Sequence, residues 1–234
     1  RAGMSSEFIA LVNLVFVPVG LMLIMFSLGL TLKLGDFVLI IRQPKLVLAG
    51  LGGQLLIMPL LALAIGMLFQ SPPALALGLF ILGICPAGTT SNALTYVGQG
   101  NVALAVVLTA LSSLITVFTI PVFLLWALDH FQLAGTMPKL SVLQTMAQLV
   151  KMTLLPIAAG MVVRVVAEPM ALKMARLLRP VAMIVMIAVI GFSVSISAEM
   201  VLQNIVQAGP AMIVLNIVAM LVGLLIGKII KVGA

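Results

Sequence analysis

Cys85-Pro86-Ala87-Gly88-Thr89-Thr90-Ser91-Asn92 lies within an apolar stretch, about 73 to 98, long enough to cross a bilayer, yet it has the composition of a turn. Proline lacks a backbone N–H and clashes with the preceding turn, glycine weakens a helix by about 1 kcal/mol, and four successive hydroxyl or amide side chains compete for backbone hydrogen bonds. The octet therefore predicts a helix break at Pro86 and Gly88, with a second half-helix starting near Ser91. Lipid offers no hydrogen-bond partners, so irregular backbone at membrane depth persists only where it is buried in protein or lines a wet cavity. The free N–H groups of the second half-helix would suit an anion there, and the carbonyls freed by the break would suit a cation.

The surrounding composition is that of a polytopic membrane protein: 64% of the residues are hydrophobic, 7% are charged, and the mean hydropathy is +1.39. Apolar blocks fall at about 7–32, 44–69, 73–98, 101–128, 142–166, 178–198 and 209–230. Each is long enough, at 1.5 Å per residue, to cross a core of roughly 30 Å as a helix, and none has the shorter alternating pattern of a membrane strand. The reading is an all-α bundle of about seven spans with the third broken. The net charge of +7 does not indicate nucleic acid, because the basic residues are dispersed between spans. Lys33, Arg42, Lys45, Arg164, Lys173, Arg176, Arg179, Lys228 and Lys231 fall on one side if the spans alternate, against Arg1 and Lys139 on the other. The positive-inside bias then puts the N-terminus outside and the C-terminus in the cytoplasm of a cell (inner) membrane. The single cysteine, Cys85, excludes an internal disulfide and a multi-cysteine metal site.

Polar side chains inside the spans are few. Gln54, beside Gly52 and Gly53, carries an amide that must find a neighbouring helix or a ligand. The fourth span carries Thr109, Ser112, Ser113, Thr116 and Thr119, most of which are expected to return their hydroxyls to a carbonyl one turn back. Lys151 becomes an intramembrane charge if the fifth span begins near Ser141. The segments 34–41 and 139–150 read as short amphipathic pieces at the surface. Pro18 to Gly29 and Pro180 to Gly191 share a spacing, and five steps separate their spans, so the two would run in opposite directions, as in inverted-repeat transporters.

The run ICPAGTTSNALTYVGQGNVALAVVLT, from Ile84 to Thr109, closely resembles the signature of the bile acid:sodium symporters, and FSLGLTLKLGDF (26–37) and GQLLIMP (53–59) are similar to the matching upstream segments. The resemblance implies a partial inverted-repeat transporter fold within one transmembrane domain. Core-type spans would cover about 44–128 and 209–230, panel-type spans about 7–32 and 142–198, and the third span would be the first of two broken helices that cross. It further implies sodium-coupled uptake of an organic anion, either bile acid-like or a small carboxylate such as pantoate. Sodium would be held by Ser91, Asn92, Thr109 and Gln54, and the anion would lie against Thr89, Thr90 and Asn92. Sodium, like calcium, takes hydroxyl, amide and carbonyl oxygens.

Two departures follow. Ala105 stands where the family usually places a serine ligand, and the second crossing helix, with its shared glutamate, is absent, so the sodium site is expected to be incomplete and the chain to be truncated at its C-terminus. The alternatives are a sodium-independent or proton-driven carrier of the same fold, or a non-functional fragment. A related arsenite exporter, using Cys85 as a thiolate, is disfavoured by the residues that follow it. A retinal protein would need a lysine in mid-span, whereas Lys228 lies at a span end, and the one histidine, His130, offers no catalytic pair, so the chain is not read as an enzyme. The expected partners are the organic anion and the lipid bilayer, with no nucleic acid.

Overall fold

A computed structural model describes residues 12–33, 35, 38–133 and 141–230. These residues form helices and the turns between them, with no strand among the described residues. The helices are α1 (Val17–Gly29), α2 (Val38–Arg42), α3 (Pro44–Leu68), α4 (Pro73–Ile84), α5 (Thr89–Val97), α6 (Val102–His130), α7 (Val142–Val166), α8 (Glu168–Ile196) and α9 (Ala198–Ile229). Five of them, α3 and α6 to α9, are long and apolar enough to cross a membrane unaided. With the shorter apolar α1 and α4, the chain is an all-α membrane helix bundle.

Local chemistry explains several irregularities. Three π-helical turns, Val12–Phe16, Gly53–Ile57 and Val150–Leu154, each end two residues before a proline: Pro18, Pro59 and Pro156. A proline cannot donate to the carbonyl one turn back and collides with it, and a wider turn just upstream relieves both problems. Helices α3, α5 and α6 close alike, through Gln70, Gln99 and Gln132 at φ of 46°, 54° and 58°. After each glutamine the next N–H returns to a carbonyl five residues back, as in Ser71 to Gly66 at 3.0 Å and Leu133 to Leu128 at 2.8 Å. Glycine is the usual residue in this left-handed closure; here the backbone bonds hold glutamine in it.

Two stretches expected as loops are helical. Residues 168–178, taken from their charges as a connection, form the start of α8 because Ala171, Ala175 and Leu178 recur at helical spacing and pack on Leu30 and Phe26. Only Ala167 separates α7 from α8, and only Ser197 separates α8 from α9, which takes in Glu199 to Gln207 and carries Pro210 inside it. The fifth span is likewise continuous from Val142, so 142–150 is no separate surface piece, whereas 139–140 lie outside the described residues. Of the segment 34–41, Leu34, Asp36 and Phe37 lie outside them too, and Val38–Arg42 is a short helix. His130 is the last residue of α6, its ring stacked on Trp126 at 4.9 Å.

The chain packs as two compact units, one of residues 1–33 and 147–201, the other of 34–146 and 202–234. In the first, α1 meets α7 backbone to backbone. A Cβ on Gly29 would overlap the Ile157 carbonyl, and one on Gly160 would stand 2.5 Å from the Phe26 oxygen. The ends of these helices are tied by charge. Buried Arg164 donates from Nη2 to Glu168 Oε1 at 2.9 Å, and Lys33 Nζ reaches the same oxygen at 3.3 Å. Glu168 opens α8, where a negative charge complements the helix dipole. Gly191, spaced from Pro180 as Gly29 is from Pro18, has nothing within 4 Å of its Cβ position, so the matched spacing does not extend to matched packing.

In the second unit α4 lies against both α3 and α6. Leu77, Phe80 and Ile84 bury onto Ala127 and Leu128, with Phe80 also 5.6 Å from the Trp126 ring. Ala62, Ile65 and Leu79 form a second cluster with Ala211 and Leu215 of α9. A neighbouring side chain can move aside but a backbone carbonyl cannot, so Gly160→Ala is expected to destabilise the protein by roughly 2 kcal/mol or more and to lower its melting temperature in detergent sharply. Gly191→Ala, in open space, should leave it unchanged or raise it slightly, and parallel melting curves of the two variants check this.

Candidate functional site

The helix break is present. Helix α4 ends at Ile84, Cys85 turns to extended backbone at φ −67° and ψ 145°, and Gly88 is again extended before α5 starts at Thr89. The restart falls two residues earlier than expected, because Gly88 occupies the capping position and the hydroxyls fill the first turn. Ser91 closes that turn by donating from both N–H and Oγ to the Gly88 carbonyl, at 3.0 and 2.7 Å. Thr95 Oγ1 donates to the Ser91 carbonyl at 2.8 Å.

Gln54 secures the other side of the break. Its Nε2 donates to the Cys85 carbonyl at 2.7 Å, an oxygen left without its helical donor because the helix ends here and the backbone runs extended to Gly88. Two features bring them together. The π turn Gly53–Ile57 carries Gln54, and Gly83 lets α4 press against α3, since a Cβ there would stand 2.8 Å from Ala62 Cβ and 3.0 Å from the Met58 carbonyl. Gln54 also borders a cavity of about 250 Å³ shared with Gly53, Met58, Val222 and Gly223.

Asn92 and Thr109 form the second pair. After α5 the chain reverses through Gln99 to Asn101, whose side chain accepts the Leu104 N–H at 3.0 Å and so starts α6. Helix α6 runs back beside α5, and Thr109 Oγ1 stands 3.1 Å from Asn92 Oδ1 and 2.8 Å from the Ala105 carbonyl. Thr109 is buried, 2% exposed. A hydroxyl has one proton. The shorter bond gives it to Ala105, which leaves two oxygens, Thr109 Oγ1 and Asn92 Oδ1, facing each other at hydrogen-bond distance. Either a cation between them or an amide turned to present its N–H satisfies that contact.

Of the residues expected at the site, Gln54, Ser91, Asn92 and Thr109 all lie in the second unit, joined as the pairs just described, and the Ser91 hydroxyl is engaged with the turn. The side chains of Thr89 and Thr90 lie outside the described part of the structure; their backbone opens α5. Three further hydroxyls of α6 are local: Ser112 and Ser113 donate to the Thr109 carbonyl at 3.1 and 2.8 Å, and Thr116 to Ser113 at 3.2 Å. Sequence reasoning missed the Cys85 carbonyl as the partner of Gln54. The available signal was a donor-rich amide in one span and the carbonyls left open by the helix break in the next.

The described residues thus form a helical membrane protein with one span broken inside its apolar length and amide and hydroxyl side chains gathered at the break. The chain belongs to the sodium bile acid symporter family, whose profile matches residues 18–204. It is 31% identical over 217 residues to the uncharacterized sodium-dependent transporter YocS of Bacillus subtilis, covering 92% of this chain and 65% of that protein. Over 91% of this chain and 51% of the relative it is 32% identical to the probable sodium/metabolite cotransporter BASS1 of Arabidopsis thaliana chloroplasts. A shorter match, 35% over 105 residues, covers 45% of this chain and 30% of the human ileal sodium/bile acid cotransporter. The chain thus spans about half to two-thirds of the length of the first two of these relatives.

Gln54→Leu keeps the volume but leaves the Cys85 carbonyl without its donor, so it should destabilise the protein by about 1 to 3 kcal/mol. Gln54→Glu removes the same donor and should do at least as much harm at neutral pH. Thermal unfolding in detergent, with amide exchange followed in residues 85–97, checks both.

Proposed function

We propose that this chain carries out sodium-coupled uptake of an organic anion, with the break between α4 and α5 as the ion-binding element. The observation that supports it best is the Asn92–Thr109 pair: two side-chain oxygens 3.1 Å apart, with a single hydroxyl proton to serve both Asn92 and the nearer Ala105 carbonyl. That arrangement suits a hard cation with oxygen ligands. Asn92 and Thr109 would hold one sodium ion, and the Ser91 oxygen keeps lone pairs free although its proton is bonded to Gly88. Gln54 would serve a second ion through its amide oxygen, because its Nε2 is taken by Cys85. Ala105 adds only a backbone carbonyl, which lowers the expected affinity of the first site.

The substrate is an organic carboxylate, either bile acid-like or small like pantoate, drawn to the N-terminal end of α5 at Thr89, Thr90 and Asn92. Free N–H groups and the positive end of the helix dipole favour an anion there. The family relationship supports this reading, and the sodium dependence printed in the relatives' names agrees with it. The unit 34–146 with 202–234, which holds the break, would be the moving core, and the unit 1–33 with 147–201 the panel. An inner-membrane location, with the N-terminus outside and the C-terminus in the cytoplasm, follows from the distribution of basic residues. Each sodium ion entering down 100 mV contributes about 2.3 kcal/mol to uptake.

In sealed vesicles containing the protein, uptake of labelled pantoate or cholate should rise at least fivefold under an inward sodium gradient relative to potassium, and Asn92→Ala should abolish the difference. Equal uptake under both gradients rejects sodium coupling, and a rise driven instead by a proton gradient favours the sodium-independent carrier.

A further inference from the structure

Helix α7 carries a polar face that the ion site does not use. Ser141 precedes the helix, and Gln144, Gln148 and Lys151 follow at intervals of three or four, all exposed. At 100° per residue the four fall within an arc of roughly 90°, while Met146 and Val150 lie on the other side. The charged end of the helix sets its depth. With the charged pair Arg164–Glu168 taken as one membrane boundary, the roughly 20 residues needed to cross the hydrocarbon end near Gln144. Lys151, 13 residues before Arg164, lies about 20 Å from that boundary and about 10 Å from the other.

A lysine stem reaches about 6 Å, so snorkelling alone does not return this amine to the interface, and the Gln148 amide on the same face cannot be satisfied by lipid.

From this face we infer that Gln144, Gln148 and Lys151 line a water-filled path reaching about a third of the way into the bilayer, and that Lys151 is the fixed charge that draws an organic anion into it. The inference rests on the anion-transport reading for its substrate class, but the path itself is open to test without transport. Cations enter the same path against the Lys151 charge, so the path selects by sign.

Single-cysteine variants, made with Cys85→Ala, separate the possibilities. Membrane-impermeant thiol reagents, one anionic and one cationic, are added from the side on which Ser141→Cys reacts. Gln148→Cys should be labelled, and the anionic reagent should react about tenfold faster relative to the cationic one than it does at Ser141→Cys. Adding Lys151→Gln should remove that preference, and Lys151→Arg should keep it. Val150→Cys, at the same depth on the apolar side, should not react. No labelling of Gln148→Cys, or a reagent preference that Lys151→Gln leaves unchanged, overturns the inference. Labelling with the predicted preference but no sodium-dependent uptake would sustain the path while rejecting the transport cycle proposed above.

Discussion

The hydrogen bond from Gln54 to the Cys85 carbonyl is the constraint on which the site depends. The extended backbone from Cys85 to Gly88 takes the Thr89 N–H away from that carbonyl, and an unpaired peptide group in an apolar environment costs several kcal/mol. Gln54 supplies the missing N–H at 2.7 Å, so the break becomes a defined conformation instead of a defect. Once the chain is fixed at Cys85, Gly88 and Ser91 set where α5 restarts, and that restart determines which face of α5 presents Asn92 to Thr109.

Each unit relies on glycine where backbones touch. Gly83 lets α4 approach α3 closely enough for Gln54 to reach across, and Gly29 and Gly160 let α1 and α7 meet with no side chain between them. In a bilayer, where lipid tails are as apolar as leucine, this close fit stands in for the hydrophobic drive of a soluble core. The buried hydroxyls of α6 agree with that economy: each answers a carbonyl of its own helix, and among the described residues no buried side-chain nitrogen or oxygen lacks a partner.

The broken span and the apolar spans were legible because their signals are local. Proline, glycine and consecutive hydroxyls disfavour helix wherever they stand, and blocks of about 20 apolar residues have one economical conformation in lipid. The pairing of Gln54 with Cys85 was not legible, since it depends on a wider turn in one helix and a missing Cβ in another. The contact of Asn92 with Thr109 was read only as shared membership of a motif; its geometry comes from the reversal at Gln99 to Asn101. The connections at 168–178 and 199–208 were misjudged as loops, the first because charge was weighed above the spacing of Ala171, Ala175 and Leu178. Charged residues on a helix that continues past the membrane boundary look, in sequence, like a loop.

The central claim is that the oxygens gathered at the break bind sodium, and equilibrium stabilisation of the purified protein tests it most directly. A ligand that binds only the folded state raises stability by about 2.7 kcal/mol at a hundredfold excess over its Kd. The melting temperature in detergent should therefore climb with sodium at constant ionic strength and not with potassium, and Asn92→Ala should flatten the response. Identical melting in sodium and potassium, across the range from micromolar to molar, would contradict the account.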